Sequence, residues 1–333
     1  MQKNSSDNPQ KTLAKITLAV LVATVLINLL SAYIRHTESG LGCQPWPDCY
    51  AVIGQYVAAE KPGDIAQKAL APAMVAKQIH RTVATLLVIG VLLLIHQSRK
   101  PMAMKNANQS LPYLLLGVIV LLSIVGPASY LKTLPVIAVI NLLGGLALTG
   151  ISWWLYLQLS QQICSENTPL QIAKWQPLLW QLAGLLLILQ IALGAWLSAN
   201  FAASACNALF SCQATGDYLN TGSGSFWYFR ELQLDKTGRV MFDASSLEIH
   251  QMHRWSAVLT GMTLLLAAGS LLRHLPHLST LVAGLVLTQW LLGVLIIVFK
   301  IPMTLVMVHN LNAALLLLSV MSVNFRLISI KNV

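Results

Sequence analysis

The chain has 333 residues, of which 56% are hydrophobic and 10% charged, with a formal net charge of +10. So apolar a composition excludes an ordinary soluble domain and places the chain among polytopic membrane proteins. The positive balance does not point to nucleic acid, because lysines and arginines flank the apolar runs, where they set orientation.

Crossing about 30 Å of hydrocarbon takes about 20 apolar residues, and lipid offers no partner to backbone polar groups, so runs of that length are helices. Eight are predicted, at 14–34, 79–97, 111–131, 134–158, 176–198, 252–272, 278–299 and 302–324. Lys3, Lys11 and Lys15 precede the first; Arg99, Lys100 and Lys105 follow the second; Arg273 follows the sixth; Arg326 and Lys331 follow the eighth. This pattern places both termini in the cytoplasm and the two long loops, 35–78 and 199–250, outside. The first run is long enough to stay as a span, and nothing ahead of it reads as a transit peptide, which favours a bacterial inner membrane over an organelle.

Internal landmarks repeat in the same order. AYIRHTESGLGCQPWPDC follows the first span and AWLSANFAASACNALFSC the fifth, and in both the first cysteine stands eleven residues after the aligned alanine, Ala32 or Ala195. QIHR (Gln78–Arg81) opens the second span and QMHR (Gln251–Arg254) the sixth. LPVIAVINLLGG (Leu134–Gly145) opens the fourth and IPMTLVMVHNLNA (Ile301–Ala313) the eighth. The expected fold is therefore an all-α membrane protein of eight transmembrane helices, built as two pseudo-symmetric four-helix bundles over 1–160 and 161–333.

Of the five cysteines, Cys43 and Cys49 form one pair and Cys206 and Cys212 another, each with a six-residue step in an outward loop. Each pair is read as a disulfide, which a periplasmic compartment permits, with a metal site as the alternative. Cys164 falls on the cytoplasmic side as a plain thiol.

The histidines carry the chemistry. His96, His274 and His277 lie beside Arg99, Lys100 or Arg273 at cytoplasmic ends, and His36 lies in the first outer loop. His80 and His253 open spans two and six, and His309 stands seven residues after Pro302. At 1.5 Å per residue, His253 and His309 both fall within about 10 Å of the outer boundary. Two imidazoles from different helices at one depth suit a metal or the axial positions of a haem iron. His250, one turn before His253, is a possible substitute ligand or a donor at the haem edge. Arg81 and Arg254 could pair with propionates or snorkel to lipid phosphate. In the first half the matching positions are His80 and Asn141, and an asparagine is a poor iron ligand.

Arg35–Tyr50 (RHTESGLGCQPWPDCY), QIHR, ILQIALGAWLSAN (Ile188–Asn200), HQMHRWSA, TQWLLGV (Thr288–Val294) and VHNLNAALLL (Val308–Leu317) together resemble the haem A synthase family of bacterial and mitochondrial membranes. The resemblance covers nearly the whole chain. It implies an oxidoreductase that converts a ring methyl of haem O to the formyl of haem A for terminal oxidases. It also implies a haem b held by His253 and His309 in the C-terminal half, and a haem O site at His80 in the N-terminal half. The family has a glutamate three residues before the span-two histidine and a second histidine in span four; here Lys77 and Asn141 stand there. Two readings follow: a haem A synthase with an altered substrate site, or a non-catalytic haem b protein in oxidase assembly, haem handling or electron transfer. The implied partners are haem O, an electron donor, haem O synthase and terminal oxidase assembly factors, besides membrane lipid. Paired repeats also occur in transporters, but no short or broken pair of spans at midplane supports that reading.

Overall fold

The structure is a computed structural model that describes residues 9–38, 72–100, 103–104, 107–126, 133–161, 172–206, 224–227, 229–233, 240 and 243–331. Its helices, in chain order, are α1 (Pro9–Glu38), α2 (Pro72–Ser98), α3 (Leu111–Val125), α4 (Pro135–Gln161), α5 (Trp175–Ala199), α6 (Ala244–Leu271), α7 (Pro276–Val298) and α8 (Met303–Lys331), with a 3₁₀ turn at Ala202–Ser204. No strand occurs among the described residues.

Six of these helices, α1, α2, α4, α5, α7 and α8, are long and apolar enough to cross a membrane. The other two predicted spans differ for separate reasons. Helix α3 ends at Val125, so its 15 residues extend only about 22 Å at 1.5 Å per residue. Helix α6 has 28 residues but begins outside the apolar run. Asp243 caps it, accepting from the Ser246 backbone N–H at 2.9 Å, and this starts the helix at the polar stretch ASSLEIHQMHRWS rather than at the predicted 252.

In the first half α1 packs against α2 and α4, and α3 closes the ring against both. The second half repeats that adjacency: α5 with α6 and α8, and α7 with α6 and α8. Helices α4 and α1 join the halves through α5 and α8, and Trp153 on α4 donates its indole N–H to Ser322 on α8 at 2.9 Å.

Each half has its own apolar interior. Leu13, Val91, Leu94, Leu115 and Leu155 fill the first, and Trp180, Leu264, Leu271, Val282 and Val323 the second. The outer faces are no more polar than the inner ones: Leu86, Ile124, Leu178 and Leu266 are all exposed. Water would penalise such a surface, whereas hydrocarbon does not.

The turn between α7 and α8 is tight. Lys300 and Ile301 both have positive φ, 57° and 61°, and the Ile301 N–H bonds the Ile296 carbonyl at 2.7 Å. Pro302 follows and cannot extend α7, so α8 starts at once and carries His309 back into the bundle.

Candidate haem-ligand site

The candidate ligands sit on α6 and α8, at opposite corners of the second ring, with α5 and α7 between them. Each intervening helix supplies one glutamine. From α5, the Gln190 side-chain amide donates to His253 Nδ1 and to the His253 carbonyl, both at 3.1 Å. The Ser256 hydroxyl donates to Gln190 Oε1 and also lies 3.1 Å from the His253 carbonyl. From α7, the Gln289 amide meets His309 Nε2 at 3.0 Å. Asn312, one turn beyond His309, donates to Gln289 Oε1 at 2.6 Å and to the Leu285 carbonyl at 2.9 Å.

A glycine follows each glutamine by four residues, so it lies on the same helix face. A Cβ on Gly194 would stand 3.1 Å from His253 Cε1, and one on Gly293 would stand 3.8 Å from His309 Cε1. Farther in, Trp290 overlies Gly261 so closely that a side chain there would collide with the indole, whose N–H reaches the Ala257 carbonyl at 3.0 Å.

These residues fit a bis-imidazole cofactor. Each ring has one nitrogen engaged by a glutamine, which leaves the other for a ligand. The remaining nitrogen of His309, Nδ1, is buried without a hydrogen-bond partner. A buried polar atom left that way carries a desolvation penalty that coordination would offset. No cluster of three or more His, Cys, Asp or Glu suited to a bare metal ion occurs among the described residues.

The start of α6 is bound to the described residues of the preceding loop. Arg230 forms a two-pronged pair with Asp243, both contacts at 2.7 Å, and its side chain is almost fully buried. Ser225 donates to Glu248, and Trp196 donates to the Ser225 carbonyl at 2.9 Å. His250, weighed as a substitute ligand, is buried and donates from Nδ1 to the Ala202 carbonyl at 3.0 Å. Its role here is to tie the 3₁₀ turn to α6. Arg254 donates to the Cys206 carbonyl at 3.2 Å, which places its guanidinium at the same outer end of the bundle, facing the loop.

In the first half, His80 is partly buried near the start of α2, beside an exposed Arg81, with Lys77 partly buried one turn earlier; Asn141 is partly buried on α4. Among the polar side chains described in that half is Asn28 on α1, which donates to the Gly145 carbonyl at 3.0 Å and to Thr149 at 2.9 Å. Cys43, Cys49, Cys164 and Cys212 lie outside the described residues, and Cys206 is buried.

Sequence reasoning passed over Gln190, Gln289 and Ser256. The signal was present: Q-x-x-x-G occurs in LQIALG and in TQWLLG, and each of these glutamines lies within a membrane-length apolar run. A polar side chain in such a run needs a partner.

The fold and site define a multi-pass helical membrane protein whose C-terminal bundle presents a buttressed pair of imidazoles. The chain matches the COX15-CtaA family, described as cytochrome oxidase assembly protein, over residues 14–321. It is 31% identical to heme A synthase of Shewanella oneidensis over 322 residues, spanning 92% of this chain and 93% of the relative. The chain therefore belongs to the haem A synthase family.

Proposed function

We propose that this chain is a haem A synthase-type oxidoreductase that oxidises a ring methyl of haem O to the formyl of haem A, with haem b as resident cofactor in the C-terminal bundle. The observation that carries the proposal is the pair of imidazoles on α6 and α8, each held at one nitrogen and available at the other. His253 and His309 would hold the haem b, and the iron supplies one-electron chemistry when bound. The residues of the chain orient and enclose it. Gln190 and Gln289 fix the ring planes, and Arg254 stands at the outer end of the bundle, in reach of propionates. The loop bound to the start of α6 through Arg230, Ser225 and His250 limits water entry.

In this reading the N-terminal bundle takes haem O as substrate, with His80 as its iron ligand. Lys77 and Asn141 line the same site, and Arg81 contacts a propionate. The outer cysteines form two disulfides, Cys43 with Cys49 and Cys206 with Cys212, which close the two loops on the periplasmic side of a bacterial inner membrane. Methyl to formyl is a four-electron oxidation that gains an oxygen atom, so dioxygen would serve as oxidant with an unidentified electron donor supplying its remaining electrons, and haem O synthase or oxidase assembly factors pass haem in and out.

A second reading rests on Lys77 and Asn141. A lysine cannot replace a carboxylate that relays protons or stabilises a developing cation. The alternative is a haem b protein without synthase activity. Extracted haem from protein purified out of haem O-producing cells separates the two. Haem A or a hydroxylated intermediate beside haem b supports the synthase; haem b alone, with normal haem A after gene deletion, overturns it. For the cofactor, His253→Ala and His309→Ala should each abolish the low-spin haem spectrum, and its full retention would reject the ligand assignment.

A further inference from the structure

We infer that Gln190 is a positioning residue for the His253 imidazole and that Gln289 plays the matching part for His309, so that the two Q-x-x-x-G segments form one repeated ligand-holding device. The inference rests on the haem b reading above and adds to it a function for residues outside the ligand set.

The geometry is specific. Gln190 contacts its histidine at two points, Nδ1 and the backbone carbonyl, both at 3.1 Å. Its own oxygen accepts from Ser256, three residues beyond His253 on α6. The ring can then neither rotate about its Cβ–Cγ bond nor slide along the helix without breaking one of these contacts. Gly194 lets α5 approach the ring edge, because any side chain there would meet Cε1 at about van der Waals contact or closer. On α7 a glutamine, a glycine and a brace recur as Gln289, Gly293 and Asn312, with Gln289 on the other ring nitrogen, Nε2, so that Nδ1 of His309 is the one left open.

An amide suits this position because it can meet a ring nitrogen as donor or, turned over, as acceptor. At His253, whose Nδ1 faces Gln190, coordination through Nε2 would leave the proton on Nδ1, and the carboxamide can then present its oxygen while its nitrogen turns to Ser256. Groups that hold the far nitrogen of a ligating imidazole fix the ring and tune its basicity, and their loss typically costs about 10–100-fold in affinity. Accepting from Nδ1–H makes the imidazole a stronger donor and favours the oxidised metal.

The test uses full-length protein in detergent or nanodiscs, read by haem content, low-spin EPR g values and midpoint potential. Gln190→Leu should retain haem at reduced affinity, by about tenfold, with shifted g values and a raised potential. Gln190→Glu, isosteric and still an acceptor, should restore the wild-type line shape with a potential at or below that of wild type. A Leu variant that matches wild type, or Leu and Glu variants that match each other, overturns the inference. Should Gln190→Leu fail to accumulate, Ser256→Ala reads the same contact: a g shift supports the role, and an unchanged spectrum refutes it. Failure of the underlying reading is distinguishable. If His253→Ala keeps the low-spin signal, the ligand assignment itself falls; if His253→Ala loses it while Gln190→Leu is unchanged, only the positioning role falls.

Discussion

The unequal clearances at the two glycines give the sharpest quantitative prediction. Gly194→Ala and Gly293→Ala place the same methyl in the same position of the repeated segment. The first would stand 3.1 Å from His253 Cε1, the second 3.8 Å from His309 Cε1. Carbon atoms pack best at about 3.5–4.0 Å, so the second methyl fits and the first must push the ring or α5 aside by a few tenths of an ångström. Glycine to alanine inside a helix gains up to about 1 kcal/mol, whereas overpacking costs typically 1–3 kcal/mol. Gly293→Ala should therefore be neutral or mildly stabilising. Gly194→Ala should lose about 1–2 kcal/mol at the ligand, which lowers haem affinity by about tenfold. Haem titration into apoprotein, with the optical and EPR spectra of the loaded forms, measures both. Equal affinities and identical spectra for the two variants, or a greater loss at Gly293, would refute the reasoning.

The other predictions bear on the loop, the turn and the first half. His250→Ala should keep the low-spin spectrum, because its Nδ1 serves the Ala202 carbonyl, and should lower stability by about 1–3 kcal/mol through that unsatisfied group; loss of the haem signal would return His250 to the ligand set. Arg230→Ala removes one partner of a buried pair and should cost about 3–5 kcal/mol in denaturant unfolding, with Arg230→Met plus Asp243→Leu recovering part of it. Lys300→Gly relieves a positive φ and should raise the melting temperature, the gain being about 1 kcal/mol. Lys77→Glu with Asn141→His should raise haem A formation if the substrate site is that of the family; no change or a loss would show a site adapted to something else.

Much of the architecture was legible because its signals are strong. Apolar length marked the long helices, and the repeated landmarks predicted that the two halves would share one adjacency. The boundaries of α6 were not legible from hydropathy, because Asp243 and the polar first turns extend the helix beyond its apolar segment. Nor did apolar content reveal that α3 ends at Val125. At the site, His253 and His309 stood out because an imidazole in a span is conspicuous. Gln190 and Gln289 did not, since one glutamine among leucines gives no indication of its partner until the helices are packed. His250 lies one turn before His253 in sequence, and only the packed structure shows its Nδ1 bonded to the Ala202 carbonyl of the 3₁₀ turn.

The two halves differ in more than their ligands. Counting back five residues from the aligned alanines Ala32 and Ala195 reaches Ile27 in the first half and Gln190 in the second. Counting back thirteen from Pro135 and Pro302 reaches Leu122 and Gln289, and counting back twenty from Asn141 and His309 reaches Leu121 and Gln289, an apolar residue in either register. Both positions that hold an imidazole in the C-terminal bundle are thus apolar in the N-terminal one, and Leu122 packs its side chain against Gly144. The same half has Asn141 where the ligand would be. Loss of a ligand removes the reason for a buried amide, whose burial without a partner costs free energy. On the proposed reading, the half with Asn141 in place of a second imidazole also has apolar residues in place of both glutamines. A resident cofactor needs two fixed imidazoles and a rigid setting; a substrate that must enter, react and leave is better served by one ligand and a less constrained pocket. On that argument Asn141→His alone should give weak second ligation in the first half, because the added ring lacks a glutamine behind it. Adding Leu122→Gln should strengthen it, seen as growth of a second low-spin signal. If Asn141→His alone gives a complete second signal, the glutamines do not support ligation in either half.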